Sequence, residues 1–175
     1  MKAFFTSRRL ALFLGSLVGL IAVCSVAVHP FGPIKQSGER PVKVDDLMMP
    51  PEVKSLLGRS CKDCHSNQTV WPWYSYVAPG SWLVERDVRR GRDRMNLSDW
   101  PQYSFKRREK LLADIASVVK NREMPLPQYT LMHRDAKLSD RDADVLYQWA
   151  RLERRKAKAA LSAPPPSPQS TLQIP

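Results

Sequence analysis

Histidine and cysteine, which often bind transition metals, are scarce in this chain of 175 residues. There are three of each, and beyond the first thirty positions only Cys61, Cys64, His65 and His133 remain. A structural zinc site takes about four nitrogen or sulfur ligands. The supply is just sufficient and the spacing is poor, so the composition argues against zinc.

Segments with the period of a β-strand are also missing, because no stretch alternates polar and apolar residues for long. Four segments instead carry helix signals, namely an apolar stripe, a capping residue or a closing glycine. They lie at about 52–58, at 81–91, within 104–121 and within 138–153. Ser139 and Asp142 give the last one a capping-box start. The sequence therefore predicts an all-α fold with long connections.

A clean basic face is lacking too, although the formal net charge is +11 at pH 7. The densest basic stretch, residues 86–94, is diluted by Glu85, Asp87 and Asp93. Nucleic-acid binding requires basic residues clustered on one face, so no nucleic-acid partner is expected. The stretch is either a solvated helix face or a docking patch for an acidic partner.

One long apolar run is present near the start of the chain. Leu10 to Val28 carries no charge and has about the length that crosses a bilayer core as a helix. Lys2, Arg8 and Arg9 precede it, and no positive cluster follows it directly. The positive-inside rule therefore keeps the N-terminus in the cytoplasm. We expect a single pass through the cytoplasmic membrane, with the C-terminal domain in the periplasm or extracytoplasmic space.

Two other interpretations of this run stay open. A cleaved signal peptide usually has a shorter apolar core, and the best cleavage site, near residues 25–27, is weak. A lipid anchor would use Cys24, but the bulky Val23 before it fits poorly.

Composition divides the chain into four parts. Residues 1–28 form the signal or transmembrane anchor, and residues 29–46 form a linker rich in proline and glycine. Residues 47–154 form one small domain. Residues 155–175 are rich in proline and small polar side chains and are predicted to be a disordered tail.

The stretch "SCKDCHS" at residues 60–66 contains the pattern C-x-x-C-H. A redox dithiol or a disulfide is one interpretation, but such a pair normally stands at the start of a helix after a strand, and no strand precedes this one. In the other, the two thiols add across the vinyl groups of a haem, and the next histidine gives its imidazole to the iron. Cys61, Cys64 and His65 therefore predict one covalently attached haem c, with the redox pair and zinc as alternatives.

A second axial ligand to the iron is predicted to be Met124. It is followed by Pro125-Leu126-Pro127, and prolines stiffen the backbone that would present its thioether. The alternatives are His133, then Met132 or Met95, and an open position.

Aromatic residues are concentrated after the motif, at Trp71, Trp73, Tyr74, Tyr76 and Trp82. A haem is a large apolar plate, and aromatic rings cover such a surface well. Trp73 and Trp82 are therefore predicted to contact the cofactor. Ordinary core packing explains them equally well.

The spacing from the cysteines to Met124, with a closing helix after it, resembles class I cytochromes c. The string "CKDCHS…WPWYSYVAPGSW…GR…MNLSDW…EMPLPQY…LMHRDAKLS…W" resembles, more narrowly, a family of bacterial haem-binding domains with a C-x-x-C-H motif, over about Leu47 to Ala150. Asp87 stands where the family pattern has a histidine, so any role of that histidine is absent. The pattern includes the methionine of "EMP" and the histidine of "LMHRDAK", so it does not choose between Met124 and His133.

The resemblance implies a small class I cytochrome c-like helical domain wrapped around one covalent haem, exported and tethered to a membrane. Members of the family are mostly predicted electron carriers. We therefore expect a mono-haem c-type cytochrome that serves redox partner proteins in or near the membrane. A His/Met pair fills both axial positions of the iron, so no enzyme activity is expected. The alternatives are a haem-based redox or gas sensor or accessory module and, less favoured, a peroxidase-like enzyme.

Overall fold

A computed structural model describes residues 2–27 and 43–162 of the chain. Over those residues it is helical and contains no strand, which confirms the all-α prediction. The α-helices are α1 (Lys2–Ala27), α2 (Pro51–Ser60), α3 (Lys62–His65), α4 (Gly80–Arg94), α5 (Phe105–Lys120), α6 (Pro127–Met132) and α7 (Asp140–Ser162). Short 3₁₀ turns occupy Val44–Asp46, Trp73–Tyr76, Leu97–Gln102 and Arg134–Ala136.

The apolar run near the start of the chain forms α1. Its segment Arg8–Ala27 is long and apolar enough to cross a membrane, by length and composition. Most of the large apolar side chains along it are exposed, as in a helix whose surroundings are lipid rather than protein. The side of the membrane on which the rest of the chain lies stays a prediction.

The four helices predicted from the sequence are all present, as α2, α4, α5 and α7. The Ser104 hydroxyl accepts the Arg107 N–H at 3.2 Å and caps the start of α5. The capping box of α7 is confirmed, because the Asp142 N–H donates to Ser139 Oγ at 3.1 Å and the Ser139 N–H donates to Asp142 Oδ2 at 2.9 Å. α3 and α6 were not predicted from the sequence, because they are too short to show an apolar period.

The chain divides into two compact units. The first unit consists of Met1–Asp46 and Cys61–Ser98 and contains α1, α3 and α4. Within it, α4 contacts both α3 and the turn Trp73–Tyr76. Its buried side chains include Val44, Val88, Met95, Leu97 and four serines, which are Ser66, Ser75, Ser81 and Ser98.

The second unit consists of Leu47–Ser60 and Asp99–Pro175 and contains α2, α5, α6 and α7. α5 packs along α7, and α2 contacts α7 as well. The predicted stripe of α5 is largely buried, and so are residues from α2 and α7. Members of this core are Leu56, Leu57, Leu111, Leu112, Ile115, Val119, Leu146, Trp149 and Ala150. Arg154 Nε donates to Glu109 Oε1 at 2.6 Å and joins α7 to α5 at the edge of this core.

α7 continues beyond the predicted end of the domain. The tail is predicted to begin at residue 155, but the helix runs through Ser162 and buries Ala157. Alanine, lysine and arginine, which fill this stretch, are good helix formers, so residues 155–162 are a correction to the predicted tail. Residues 163–175 lie outside the described residues.

Most of the predicted linker, residues 29–42, also lies outside the described residues. The end of that linker is packed rather than extended, because Val44 is buried and its N–H donates to Gln68 Oε1 at 3.1 Å.

Candidate functional site

The C-x-x-C-H motif forms a single helical turn. Cys61 is the N-cap of α3, and the His65 N–H donates to the Cys61 carbonyl oxygen at 2.9 Å. Residues three and four apart in a helical turn lie on the same side, so Cys61, Cys64 and His65 share one side of this turn. No disulfide joins the two cysteines. The structure therefore brings together the three residues that the sequence predicts to attach a haem.

The imidazole of His65 is held by the C-terminal end of α4. Its Nδ1 lies 3.1 Å from the carbonyl oxygen of Met95. A carbonyl oxygen only accepts hydrogen bonds, so Nδ1 carries the proton and Nε2 keeps its lone pair. Metal-binding histidines are usually oriented in this way, through the ring nitrogen that does not bind the metal. Nothing in the sequence indicates this partner, because every residue has a backbone carbonyl.

The protonation of His65 also suits a metal ligand. Burial lowers the pKa of its imidazole, and the carbonyl groups of Met95 and Gly91 act in the opposite direction. The net lowering favours the neutral ring, which is the form that binds a metal.

The thiol of Cys64 is held in its neutral form. Burial, followed by the carboxylates of Asp87 and Asp63, raises its pKa to about 11, while the guanidinium of Arg92 acts in the opposite direction. Asp87 stands where the resemblance described above leads us to expect a histidine. It also pairs with Arg86, at 2.9 Å. An acidic side chain at this position therefore acts on the motif itself.

α4 approaches the motif so closely that only glycine fits at the crossing. A methyl group added at Gly91 would overlap the carbonyl oxygen of Cys64 and would lie 3.0 Å from its carbonyl carbon. The obstacle is backbone, which cannot move aside as a flexible side chain can. Gly91 therefore lets α4 lie directly against the turn that carries the two cysteines.

Arg92 forms hydrogen bonds with the segment that follows the motif. Its Nε donates to the Ser66 carbonyl oxygen at 2.9 Å, and its Nη2 donates to Thr69 Oγ1 at 3.0 Å. Thr69 Oγ1 in turn donates to the Asp63 carbonyl oxygen at 2.6 Å, and Ser66 Oγ donates to the Lys62 carbonyl oxygen at 2.8 Å. These bonds fix the motif turn from its C-terminal side.

The two tryptophans predicted to contact the cofactor lie in the same unit as the motif. Trp82, in the first turn of α4, is half-buried, whereas Trp73 is 75% exposed. Tyr74 lies between them in the sequence, and burial, followed by the charges of Asp63 and Cys64, raises the pKa of its phenol. Contact of Trp73 and Trp82 with the cofactor stays a prediction.

The two main candidates for the second axial ligand lie in the other unit. Met124 is half-buried between α5 and α6. His133 follows α6, and its ring stacks on Tyr129 with the centroids 4.5 Å apart and an interplanar angle of 22°. Since the motif belongs to the first unit and these residues to the second, the pairing of His65 with Met124 or His133 stays a prediction.

The donor set of the first unit fits a covalently held haem. Two thiols and an oriented, neutral imidazole share one helical turn. Within residues 2–27 and 43–162, no group of three or more histidine, cysteine or acidic side chains could hold a bare metal ion. A haem iron already has four ring nitrogens and needs only one or two ligands from the protein, so this donor set suits haem better than zinc.

Comparisons with known proteins agree with this assignment of the cofactor. No characterised protein and no solved structure matches the chain. The sequence profile of the haem-binding domain family matches residues 21–152, which is more than half of the chain and includes the motif, α4, Met124 and His133. This chain therefore belongs to the haem-binding domain family.

Proposed function

We propose that this chain is a mono-haem c-type cytochrome, anchored in the cytoplasmic membrane by α1, that transfers electrons on the periplasmic or extracytoplasmic side. Its membership in the haem-binding domain family supports haem as the cofactor. The observation that carries covalent attachment is the motif turn, in which Cys61, Cys64 and a neutral His65 with its Nδ1 on the Met95 carbonyl share one side.

The proposed attachment consumes only the thiols and the vinyl groups. Cys61 and Cys64 would hold the haem through thioether bonds, in which each S–H group would add across one vinyl double bond with nothing released. Two residues between Cys61 and Cys64 match the separation of the two vinyl groups. His65 Nε2 is the proposed axial ligand, and the Met95 carbonyl keeps the proton on Nδ1.

The bound haem would supply a one-electron iron couple. From the sequence we propose Met124 as the second axial ligand, with His133 as the alternative. Two filled axial positions leave no place for a substrate, so we propose an electron carrier rather than an enzyme. Redox proteins in or near the membrane are the proposed partners, and we propose no nucleic-acid partner.

Expression of the full chain in a host that assembles c-type cytochromes tests this function. We expect the polypeptide to be heavier by the mass of one haem. The colour should stay with the protein after extraction with acidified organic solvent. Cys61→Ser and Cys64→Ser should each lose one thioether, which shifts the absorption maximum of the reduced haem, whereas Cys24→Ser should leave mass gain and spectrum unchanged.

Two results would contradict the proposal in different ways. A polypeptide that gives up all its haem to acidified solvent would be a haem-binding protein without covalent attachment. A covalent haem that binds carbon monoxide readily in its reduced form would have an open axial position, and that result would favour the sensor or enzyme alternatives.

A further inference from the structure

Two large aromatic side chains of the first unit are exposed. Trp73 and Tyr76 have 75% and 64% of their surface accessible. They are the first and last residues of one 3₁₀ turn, in which residues three apart lie on the same side. Val70 and Val77, which flank this turn, are exposed as well. We call these four residues the aromatic ridge. Contiguous exposed apolar groups of this kind mark interaction sites.

The aromatic ridge is joined directly to the C-terminal end of α1. Ala78, the next residue, is buried and donates its backbone N–H to Ser25 Oγ at 2.9 Å. The same hydroxyl donates to the Ile21 carbonyl oxygen at 2.7 Å. Among the side chains of Arg8–Ala27, three are half-buried, namely Ile21, Cys24 and Ser25. These three share one helical face, the face on which Ser25 accepts the Ala78 amide.

The length of α1 gives the depth of this junction in a membrane. From Arg8 to Ser25 the helix rises about 26 Å at about 1.5 Å per residue. The hydrocarbon core of a bilayer is about 30 Å thick. With Arg8 and Arg9 at the cytoplasmic boundary, Ser25 lies near the opposite boundary. Tryptophan and tyrosine are enriched at this depth in membrane proteins, because their rings are apolar and their N–H or O–H groups can reach water.

We propose that the aromatic ridge is a membrane-interface contact, in which Trp73 and Tyr76 insert among the lipids of the outer leaflet beside α1. This inference rests on the membrane-anchored form of the proposed function and adds the lipid surface as a partner. It assigns Trp73 to lipid, in place of the haem contact predicted from the sequence.

The contact would hold the haem-attachment turn at the membrane surface. α4 contacts both α3 and the turn Trp73–Tyr76, so the motif and the aromatic ridge are packed on the same helix. A haem on Cys61 and Cys64 would therefore meet redox partners that are themselves in or on the membrane.

Photocrosslinking of the full, haem-loaded chain tests the inference. The chain is placed in vesicles of phosphatidylethanolamine and phosphatidylglycerol, with a benzophenone amino acid at one position at a time. Trp73 and Tyr76 are the test positions. Leu131, which is 73% exposed and lies in the second unit, is the matched control for exposure, and Val18 in α1 is the positive control. The visible spectrum of each variant verifies that the haem is still attached.

We expect phospholipid adducts at positions 73 and 76 to be several-fold more abundant than at position 131. Adducts at Val18 together with none above control at 73 and 76 would overturn the inference and leave the anchored cytochrome intact. Adducts missing at Val18 too would overturn the anchor and, with it, the inference. Crosslinking of position 73 to the haem would place Trp73 against the cofactor and would also overturn it.

Discussion

The two nitrogens of the His65 ring have separate roles in the proposed site. Nδ1 is fastened to the Met95 carbonyl oxygen at 3.1 Å, and Nε2 keeps the lone pair that the iron requires. The ring therefore keeps one tautomer and one orientation without any acidic partner. The same end of α4 brings Gly91 against Cys64, so one helix terminus positions both the proposed axial ligand and one of the two thiols.

Replacement of Met124 should change the sixth ligand. The ferric haem of the wild-type chain is expected to show the weak red absorption band that methionine coordination gives. Met124→Ala should lose this band, because the thioether proposed to bind the iron is removed. His133→Ala should keep it, and so should Met132→Ala, a matched methionine control on the exposed end of α6. A band that survives in Met124→Ala would exclude Met124 as the ligand.

Gly91→Ala should destabilise the first unit and lower the yield of attached haem. The added methyl group would overlap the Cys64 carbonyl, and overpacking of this kind costs roughly 1–3 kcal/mol. Gly58→Ala is the matched control, because a methyl group there meets nothing within 4 Å. It should stabilise α2 by about 1 kcal/mol through helix propensity alone.

Urea unfolding of both glycine variants measures the change in stability, and the absorption spectrum measures the haem content. Equal stability and haem content in Gly91→Ala and the wild type would show that the approach of α4 to the motif is not required.

Among the helices, α7 depends most clearly on its first turn. Asp142 Oδ2 accepts the Ser139 N–H at 2.9 Å and a bond from Arg59 Nη2 at 2.7 Å. Arg59 Nη1 also donates to the carbonyl oxygens of Asp135 and Lys137. One carboxylate therefore caps α7 and joins it to α2 and to the chain before the helix. Hydrogen bonds from Ser139, followed by Arg59, lower the pKa of Asp142.

Asp142→Asn should lower the stability of the chain at neutral pH. A carboxyl whose pKa is lowered in the folded state stabilises that state above its ordinary pKa, and this contribution is lost as the pH falls through the lowered value. The difference in stability between the wild type and Asp142→Asn is therefore expected to shrink as the pH is lowered below about 4. Thermal unfolding at a series of pH values measures it.

Asp144→Asn is the control for this experiment, because Asp144 is an exposed carboxylate in the same part of α7. Asp144→Asn should change the thermal stability little at any pH of the series. A pH-independent difference between wild type and Asp142→Asn would mean that the charge of Asp142 contributes nothing.

At the scale of the whole molecule, the chain consists of two compact units that divide the predicted site residues between them, and the apolar helix α1 belongs to the first unit. The attachment motif belongs to the first unit, while Met124 and His133 belong to the second. The second unit has the larger apolar core, built mainly from α5 and α7. The first unit has few buried apolar side chains and many polar bonds around the motif, as expected of a segment completed by a cofactor.

If α1 is an uncleaved anchor, the chain should remain in the membrane fraction after washing with alkaline carbonate, which releases peripheral proteins. The mature protein should still carry residues 1–28, because the cleavage site near residues 25–27 is weak. Carbonate extraction followed by detection of the chain in the membrane fraction checks the first point, and mass spectrometry of the intact protein checks the second. A soluble protein that begins near residue 28 would contradict the anchor and favour the cleaved-signal interpretation.

Much of the secondary structure could be predicted from the sequence. α5 and α7 show an apolar stripe and capping residues over many turns, and those signals are local. α3 and α6 were missed because each has only one or two turns, and an apolar period cannot be recognised over so few residues. The end of α7 was predicted too early, because residues 155–162 were grouped with the proline-rich stretch that follows them, although they belong to the helix.

The attachment motif was determined by the sequence alone, because the spacing of two thiols and one imidazole along a single turn is a local property of the chain. The orientation of His65 was decided only by the tertiary structure. Its partner is a backbone carbonyl thirty residues away, and nothing in the identity of Met95 indicates it. The contacts of Gly91 with Cys64 and of Ala78 with Ser25 are of the same kind. Each joins segments distant in sequence, and in each at least one partner is a backbone group that all residues share, so only the folded chain could bring them together.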